Sequence, residues 1–479
     1  MSSSASISRH APWIAAAFVV AVGALAWPYT VDDAFVLARY ATRLGTGHGW
    51  TFVDGAATDG VTGPLGILPG LLAALVGLDA LAASKAAGIA AVALAAGLAV
   101  RRARKRAIGP LAGWAACGFV AASGTLGVWG GAGLETGLAT LAATGLGLAV
   151  TARPRRLGWA ILSAAAIPAL RPELVPFAGV LVLGLLRRDR GAGWLVALAL
   201  VGSVGALALS RMLAFGSPLP MSLSAKPPSL VNGAQYVLGA LVFCAGGLAL
   251  VPAALGAQRS GRVRWVGGAL VVHALAVLVA GGDWMPGYRL LCPVLPLYAW
   301  MVGVGIAELA RDRGAGTRVA VAIAALACAL PALDLVAQLG PVREAGEIRE
   351  IEGRALAAYL DEHASRVALV DVGFLAWVGH FEPVDLAGIT DPEIARIAEG
   401  HVDAPVTGAM LLARDVDAIV LSSSSEPIVD DQERLTALGG HPTERRLAVD
   451  PAVRAAFRVA HVARYSSSTW YVVLLLREP

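Results

Sequence analysis

A chain of 479 residues that is 57% hydrophobic and 15% charged, with a mean hydropathy of +0.68, is too apolar and too sparsely charged for a soluble protein of its size. The net charge of +4 does not point to nucleic acid, because the basic residues sit in short clusters between apolar segments, where they report membrane topology. Cys117, Cys244, Cys292 and Cys328 all fall in apolar stretches. That excludes a disulfide framework or a cysteine metal motif and leaves them as packing residues.

Residues 12–29 supply a first span, preceded by Arg9 and His10. Ala24 and Ala26 form an A-x-A pattern, but Pro28 argues against cleavage there, so the segment is read as retained. The longest polar interruption follows, Tyr29 to Leu65, and opens on the carboxylate pair Asp32 and Asp33. Within it, 33–44 reads as a helix at the membrane surface, with Asp33 in the N-cap position and Gly45 as its stop. The apolar run 64–78 is too short to cross and is read as a second interfacial or re-entrant helix. Spans are expected at 80–100, 108–127, 134–151, 157–170, 173–186, 194–211, 233–254, 265–281, 288–308 and 318–338, making about 11 with the first.

Parity checks that count. Five basic clusters, at 101–106, 153–156, 187–190, 259–264 and 311–318, all fall on the side of the N-terminus, and the positive-inside rule makes that side the cytoplasm. Treating 64–78 as a full span would throw all five outside. From about 340 the composition becomes that of a soluble domain. It has a polar helix at 343–363, strand-like segments at 367–373 and 417–422, a helix near 405–414 and closing strands at 458–464 and 470–476. The expected fold is thus mostly α, a polytopic membrane protein over residues 1–339 with interfacial helices in the first outer loop. A small extracytoplasmic α/β domain follows over 340–479.

The same parity gathers Asp32, Asp33, Arg39, Arg43, Glu135, Arg171, Glu173, Lys226, Asp283 and Arg289 on the outer face, with His48 between two glycines of the first loop. Ionisable groups at a bilayer surface are functional candidates by default. Carboxylates beside cations suit a reaction with a lipid-linked phosphate donor: a cation holds the departing phosphate while a carboxylate takes the proton of an incoming hydroxyl. Phosphate leaves readily at neutral pH, so no acid is needed opposite the base, unlike glycoside hydrolysis. Structural readings stand beside these: Asp33 as a helix cap, Glu135 as a helix-dipole partner, Arg171 and Glu173 as a turn pair, Asp283 as a cap toward Arg289, His48 as a solvated loop residue. No zinc or EF-hand spacing is present.

Taken in order, Asp32-Asp33-Ala34 with Arg39-Tyr40 and Gly47-His48-Gly49, Thr62-Gly63-Pro64-Leu65, Gly133-Leu134-Glu135, Arg171-Pro172-Glu173, Pro218-Leu219-Pro220 with Ala225-Lys226, and Gly281-Gly282-Asp283-Trp284-Met285 with Arg289 resemble the GT-C glycosyltransferases that use polyprenyl-phosphate sugars. The mycobacterial terminal arabinofuranosyltransferase branch is the most similar, and the C-terminal DVGFLAWVG and VDLAGITDPEIAR resemble its extracytoplasmic domain. The resemblance implies an inverting membrane transferase whose base is an acidic residue of the first outer loop, Asp32 first and Asp33 second. It places Asp283 and Arg289 in the site. Relatives often carry Ser or Asn, an aromatic residue, and Asn where this chain has Gly63, Gly66 and Met221.

The expected reaction moves a sugar, arabinofuranose by the resemblance, from a polyprenyl-phosphate donor to a glycan or lipid hydroxyl of the cell envelope. It takes place on the extracytoplasmic side of the inner membrane. Arg289, Arg171 and Lys226 are candidates for the phosphate. Asp283, Glu135 and Glu173, with Arg39 and His48, are candidates for the donor sugar or for orienting those cations. No metal site is assigned, and the sequence leaves open whether a divalent cation assists. The rival readings are a lipid-linked-sugar flippase and a non-catalytic envelope assembly protein. The first would place its charges near mid-membrane in an inverted repeat; the second leaves the Asp pair without a task.

Overall fold

A computed structural model describes residues 9–55, 57–106, 110–152, 156–221, 229–311, 314–397, 401–465 and 469–477. Among them, Ala80–Arg104, Arg190–Phe215, Gly261–Val279, Arg289–Leu309 and Gly316–His363 are long and apolar enough to cross a membrane. Two bent pairs bring the number to seven: Leu111–Ala122 with Gly124–Gly131, bent by 55°, and Leu230–Cys244 with Gly247–Gln258, bent by 84°. The second bend is made at Gly246 and Gly247, both in the left-handed region. The other four expected spans are the helices Ala11–Leu25, Thr136–Thr151, Leu157–Leu170 and Pro172–Leu186. At a rise of about 1.5 Å per residue they reach only some 21–24 Å, against a hydrocarbon core of about 30 Å. By length and apolarity alone, up to seven helices or bent pairs among the described residues qualify as spans, and these four are shorter apolar helices. On Arg190–Phe215, Leu198 and Leu213 are 70% and 80% exposed, as a helix facing lipid requires.

One end of the bundle is basic. The last carbonyls of helix Thr136–Thr151 have no partners within their own helix. Arginines from three other segments converge on them: Arg102 donates to the Thr151 carbonyl at 2.7 Å, Arg188 to Val150 at 3.0 Å and Arg262 to Ala152 at 3.4 Å. Arg259 and Arg311 share Glu308 at 2.6 and 2.8 Å. Members of four of the five basic clusters thus meet at one end, where cations also complement the helix dipole. Glu135, at the other terminus of the same helix, marks the opposite face.

On that face the first outer loop begins with helix Asp32–Gly45, one residue earlier than expected. Its N-cap is Val31, with no side-chain cap, so Asp33 does not cap it. Its apolar stripe, including Phe35, Leu37, Tyr40 and Ala41, is buried. Pro64–Ile67 and Leu68–Ala74 follow as a short 3-10 and α pair. This pair leaves Leu72 and Leu75 57% and 60% exposed, the pattern of an interfacial element.

No break separates the two expected domains, because helix Gly316–His363 runs through residue 340 with a π-helical turn at Arg349–Gly353. Beyond it, strands β1 (Arg366–Leu369), β2 (Glu382–Asp385), β3 (Ala418–Ser423), β6 (Phe457–Arg464) and β7 (Trp470–Leu476) form one sheet in the order β2-β1-β3-β7-β6. Strands β4 (Ile428–Val429) and β5 (Leu435–Ala437) pair separately. β1 is parallel to β2 and β3, and β7 is antiparallel to β3 and β6. The expected strand 367–373 ends at Leu369; Val372–Val378 is a helix instead, for a reason found in the first outer loop. In the DLAGITDPE turn, Asp385 accepts the N–H groups of Ala387, Gly388 and Thr390 at 2.8, 3.1 and 2.7 Å. Burial pushes its carboxyl up to about 6.

The opposed ends give a labelling test. Cysteines placed at exposed His48 and Glu362 should react with an impermeant thiol reagent from the same side of the membrane, and one at exposed Arg190 from the other. Reaction of all three from one side would overturn the arrangement.

Candidate active site

The chain entering the Asp pair is held at every residue but one. Lys85, only 3% exposed, extends its ammonium from helix Ala80–Arg106 to the carbonyls of Trp27 and Tyr29 at 2.5 and 2.9 Å and to the Thr30 hydroxyl at 2.6 Å. Arg349, in the π-helical turn, donates to the Thr30 carbonyl and, at 2.9 Å, to the Tyr465 hydroxyl. A Cβ on Gly346 would stand 2.1 Å from the Pro28 carbonyl, so the helix backbone lies directly on this segment.

The two carboxylates then part company. Asp32 accepts the backbone N–H groups of Gly373 and Phe374 at 2.7 and 2.9 Å. These are the second and third residues of helix Val372–Val378, whose own N-cap, Asp371, makes no capping bond and accepts the Tyr471 hydroxyl at 2.7 Å instead. Asp32 is therefore an N-cap supplied from another part of the chain, satisfying donors that the helix cannot satisfy itself. That is why the chain turns helical at Val372, within the segment 367–373 that reads as strand. Burial, with the Asp371 charge second, pushes the Asp32 carboxyl up to about 7, against the pull of Arg349 and the two N–H groups. Asp33 is half-buried, and its carboxylate has no hydrogen bond or ion pair among the described residues.

Glu135 and Glu173 meet on Arg171, at 2.7 and 3.1 Å, and the same guanidinium donates to the Thr136 hydroxyl at 3.0 Å. All three nitrogens of Arg171 thus face protein groups. The opening loop seats directly on this hub. A Cβ on Gly63 would lie 2.1 Å from the Leu170 carbonyl, and one on Gly66 2.6 Å from the Glu135 Cβ, so the two glycines are required by close approach.

Asp283 pairs with the Nε of Arg289 on a turn made by Gly281 and Gly282, with φ of 90° and 71°. The two terminal nitrogens of Arg289 have no hydrogen-bond partner among the described residues. Its guanidinium lies 5.7 Å from the Trp129 ring centroid, and Trp129 meets Tyr29 edge-on at 6.0 Å. A ladder of Arg289, Trp129 and Tyr29 therefore links this cation to the segment carrying the Asp pair. Tyr288, non-glycine at φ 55°, turns the chain into Arg289. That conformation costs about 1–3 kcal/mol and is held by edge-on contact with Tyr236 at 5.5 Å. Tyr236 accepts the Leu290 N–H at 3.0 Å, and His273 binds the Leu290 carbonyl at 2.8 Å.

Other candidates lie apart. Arg39 directs its guanidinium to the carbonyls of Phe52, at 2.8 Å, and Ala376, joining helix, loop and C-terminal domain. His48 is exposed at the loop tip, 2.9 Å from the Thr46 hydroxyl, beside the Arg43–Asp54 pair. Lys226 lies outside the described residues. Sequence reasoning missed Lys85, Trp129, Tyr236, His273 and Arg349. It also missed Arg211, which binds Asp59 at 3.1 Å and the carbonyls of Val61 and Thr62 at 3.1 and 2.8 Å. Lys85, Arg211 and His273 could have been found as polar residues within apolar spans. The aromatic residues carried no such signal.

Residues 343–473 match a family described as a domain of unknown function, DUF8728. No curated protein matches the chain. Several solved structures resemble it. ArnT from Cupriavidus metallidurans bound to undecaprenyl phosphate superposes with a TM-score of 0.58 at 13% identity, over 95% of this chain and 97% of that one. The Archaeoglobus fulgidus oligosaccharyltransferase gives 0.51 at 13% identity, over 86% and 69%. Arabinofuranosyltransferase AftD from Mycobacteria gives 0.54 at 15% identity, over 98% of this chain and 41% of that one. All three are GT-C glycosyltransferases. This multi-pass membrane protein has the GT-C glycosyltransferase fold.

Proposed function

We propose that the chain is an inverting glycosyltransferase that takes its sugar from a polyprenyl-phosphate donor, on the extracytoplasmic side of the inner membrane, and passes it to a hydroxyl of an envelope glycan or lipid. The observation that carries this reading is the division of labour among the outer-face charges: among the described residues of the candidate site, one guanidinium edge and one carboxylate are unengaged, and the groups around them are tied down. ArnT, a structure of similar fold, is bound to undecaprenyl phosphate, which supports a lipid phosphate as the leaving group. The mycobacterial AftD likeness supports arabinofuranose as the sugar.

Arg289 receives the donor phosphate. Asp283 fixes its Nε, so the two terminal nitrogens present a planar fork to two phosphate oxygens. Asp33 is the base, and Asp32, by capping helix Val372–Val378, ties the start of the helix that carries it to the C-terminal domain. The acceptor oxygen attacks the anomeric carbon, its proton passes to Asp33, and the bond from that carbon to the phosphate oxygen breaks with its electron pair leaving on phosphate. Arg171 keeps Glu135, Glu173 and the opening loop in place. Lys226 stands as a second cation for the phosphate.

Asp33→Asn should cut transfer by about 10² to 10⁴ with donor binding unchanged, measured by release of polyprenyl phosphate; wild-type turnover would return the base to Asp32. Arg289→Lys keeps the charge but loses the fork, and should weaken polyprenyl-phosphate binding about tenfold at an unchanged unfolding midpoint. Unaltered affinity would leave Arg289 as only Asp283's partner. Asp32 yields a pH prediction. Its folded pKa, about 7 against an ordinary 3.8, means that the folded state favours the protonated form. The resulting stability is full below about pH 4 and lost as pH rises through 7. The unfolding midpoint should therefore be lower at pH 8 than at pH 5, and Asp32→Asn should flatten that difference. An equally steep dependence in Asp32→Asn would assign it to another group.

A further inference from the structure

A second cavity, of about 330 Å³, lies between the first outer loop and the free edge of the C-terminal sheet. It takes no part in the chemistry above. Phe52 enters from the loop, Glu382 from the edge strand β2, Arg366 from its neighbour β1, and Asp391, Arg414 and Asp415 from the turns beyond. Arg366 is held by Glu382 and by the Arg414 carbonyl, both at 2.8 Å. Asp391 accepts the Glu393 and Ile394 N–H groups and pairs with Arg414. The Nη1 nitrogen of Arg414 is buried without an acceptor, and the Glu393 carboxylate stands 3.9 Å away, beyond hydrogen-bond reach. A buried donor left unmet calls for a partner.

The lining decides what that partner is. With Asp385 included, two guanidinium groups face four carboxylates, a negative balance that repels phosphate and other anions. No set of three or more His, Cys, Asp or Glu side chains among the described residues is placed to hold a metal ion. An organic cation would suit the carboxylates but offers no acceptor to Arg414, whereas a neutral ligand that both donates and accepts hydrogen bonds, the description of a sugar, meets both. The volume is at the lower end of ligand sites, about 300–1,000 Å³. The cavity is also fixed relative to the Asp pair: Arg39, roughly two helical turns or about 10 Å from Asp32, binds the Phe52 carbonyl and lies 5.0 Å from its ring centroid.

We infer that this cavity holds a sugar residue of the acceptor, so that the acceptor is a glycan chain gripped at a second point, which Arg39 ties to the helix that carries the base. The inference rests on the glycosyltransferase reading and deepens it by naming the acceptor class. It is tested on the full-length protein in nanodiscs by saturation-transfer NMR, with a triarabinofuranoside and maltotriose as probes and inorganic phosphate as the anionic control. At least one trisaccharide should bind, phosphate should neither bind there nor displace it, and Arg414→Gln should weaken binding tenfold or more. Ala413→Trp, from an exposed lining position, should do the same while leaving every ion pair in place, and it decides the matter if Arg414→Gln fails to fold. Arg289→Lys should leave trisaccharide affinity unchanged. Absence of binding by both trisaccharides, displacement by phosphate, or wild-type affinity in Ala413→Trp would overturn the inference. If polyprenyl phosphate still binds in that case, this cavity alone is refuted; if it does not bind the wild-type protein, the transferase reading falls as well.

Discussion

The rest of the structure depends on the pair of hydrogen bonds that the Asp32 carboxylate accepts from Gly373 and Phe374. A carboxylate buried without partners would be neutralised or would unfold its surroundings, and a helix of seven residues with no cap of its own is marginal. Each supplies what the other lacks. Hydrogen bonds of this kind contribute about 0.5–1.5 kcal/mol each, which favours turning into a helix at Val372 over continuing the strand. The consequence reaches the chemistry, because the residue after Asp32 then has a defined position while its own carboxylate stays unengaged. Lys85 and Arg349 extend the same constraint backward along residues 27–30.

Two of the buried arginines on this face show how similar residues are put to different uses. Arg171 is enclosed by two carboxylates and a hydroxyl, hydrogen-bonded to Glu173 and Thr136 and ion-paired with Glu135. Buried ion pairs of this type add less to stability than to the fixing of one arrangement, since desolvation offsets much of their attraction. Arg289 keeps only its Nε engaged. A half-satisfied guanidinium is tolerated at a surface that a phosphate can reach, and Trp129 covers its face with a π system. The strained Tyr288 that turns the chain into Arg289 fits the same account, because strain persists where the surroundings over-determine it.

The positions where the chain departs from its relatives also acquire a physical meaning. Gly63 and Gly66 let the opening loop lie against the Leu170 carbonyl and the Glu135 side chain. A larger residue at either position would lift the loop from the Arg171 hub. The backbone of Met221 meets Asp59, which Arg211 holds in turn, so the later loop is anchored to the end of the first. The outer-face motifs, weak individually in sequence, are parts of one contact surface.

The sequence by itself determined the membrane character, the position of the apolar segments, the clustering of basic residues between them, and the set of candidate charges that includes Asp33, Arg171, Asp283 and Arg289. Those properties follow from composition and spacing along the chain, because apolar length and charge clustering are local quantities. Strands β3, β6 and β7 were legible for the same reason. Only the tertiary structure decided which charges are engaged. Asp32 and Asp33 are adjacent and chemically identical, and nothing local distinguishes them; what separates them is a pair of N–H groups more than three hundred residues away. The helix at Val372–Val378, the unbroken helix through residue 340, and the clamping roles of Lys85, Arg211 and Arg349 were hidden likewise. Each is set by a partner distant in sequence, and a residue's partners are properties of the fold.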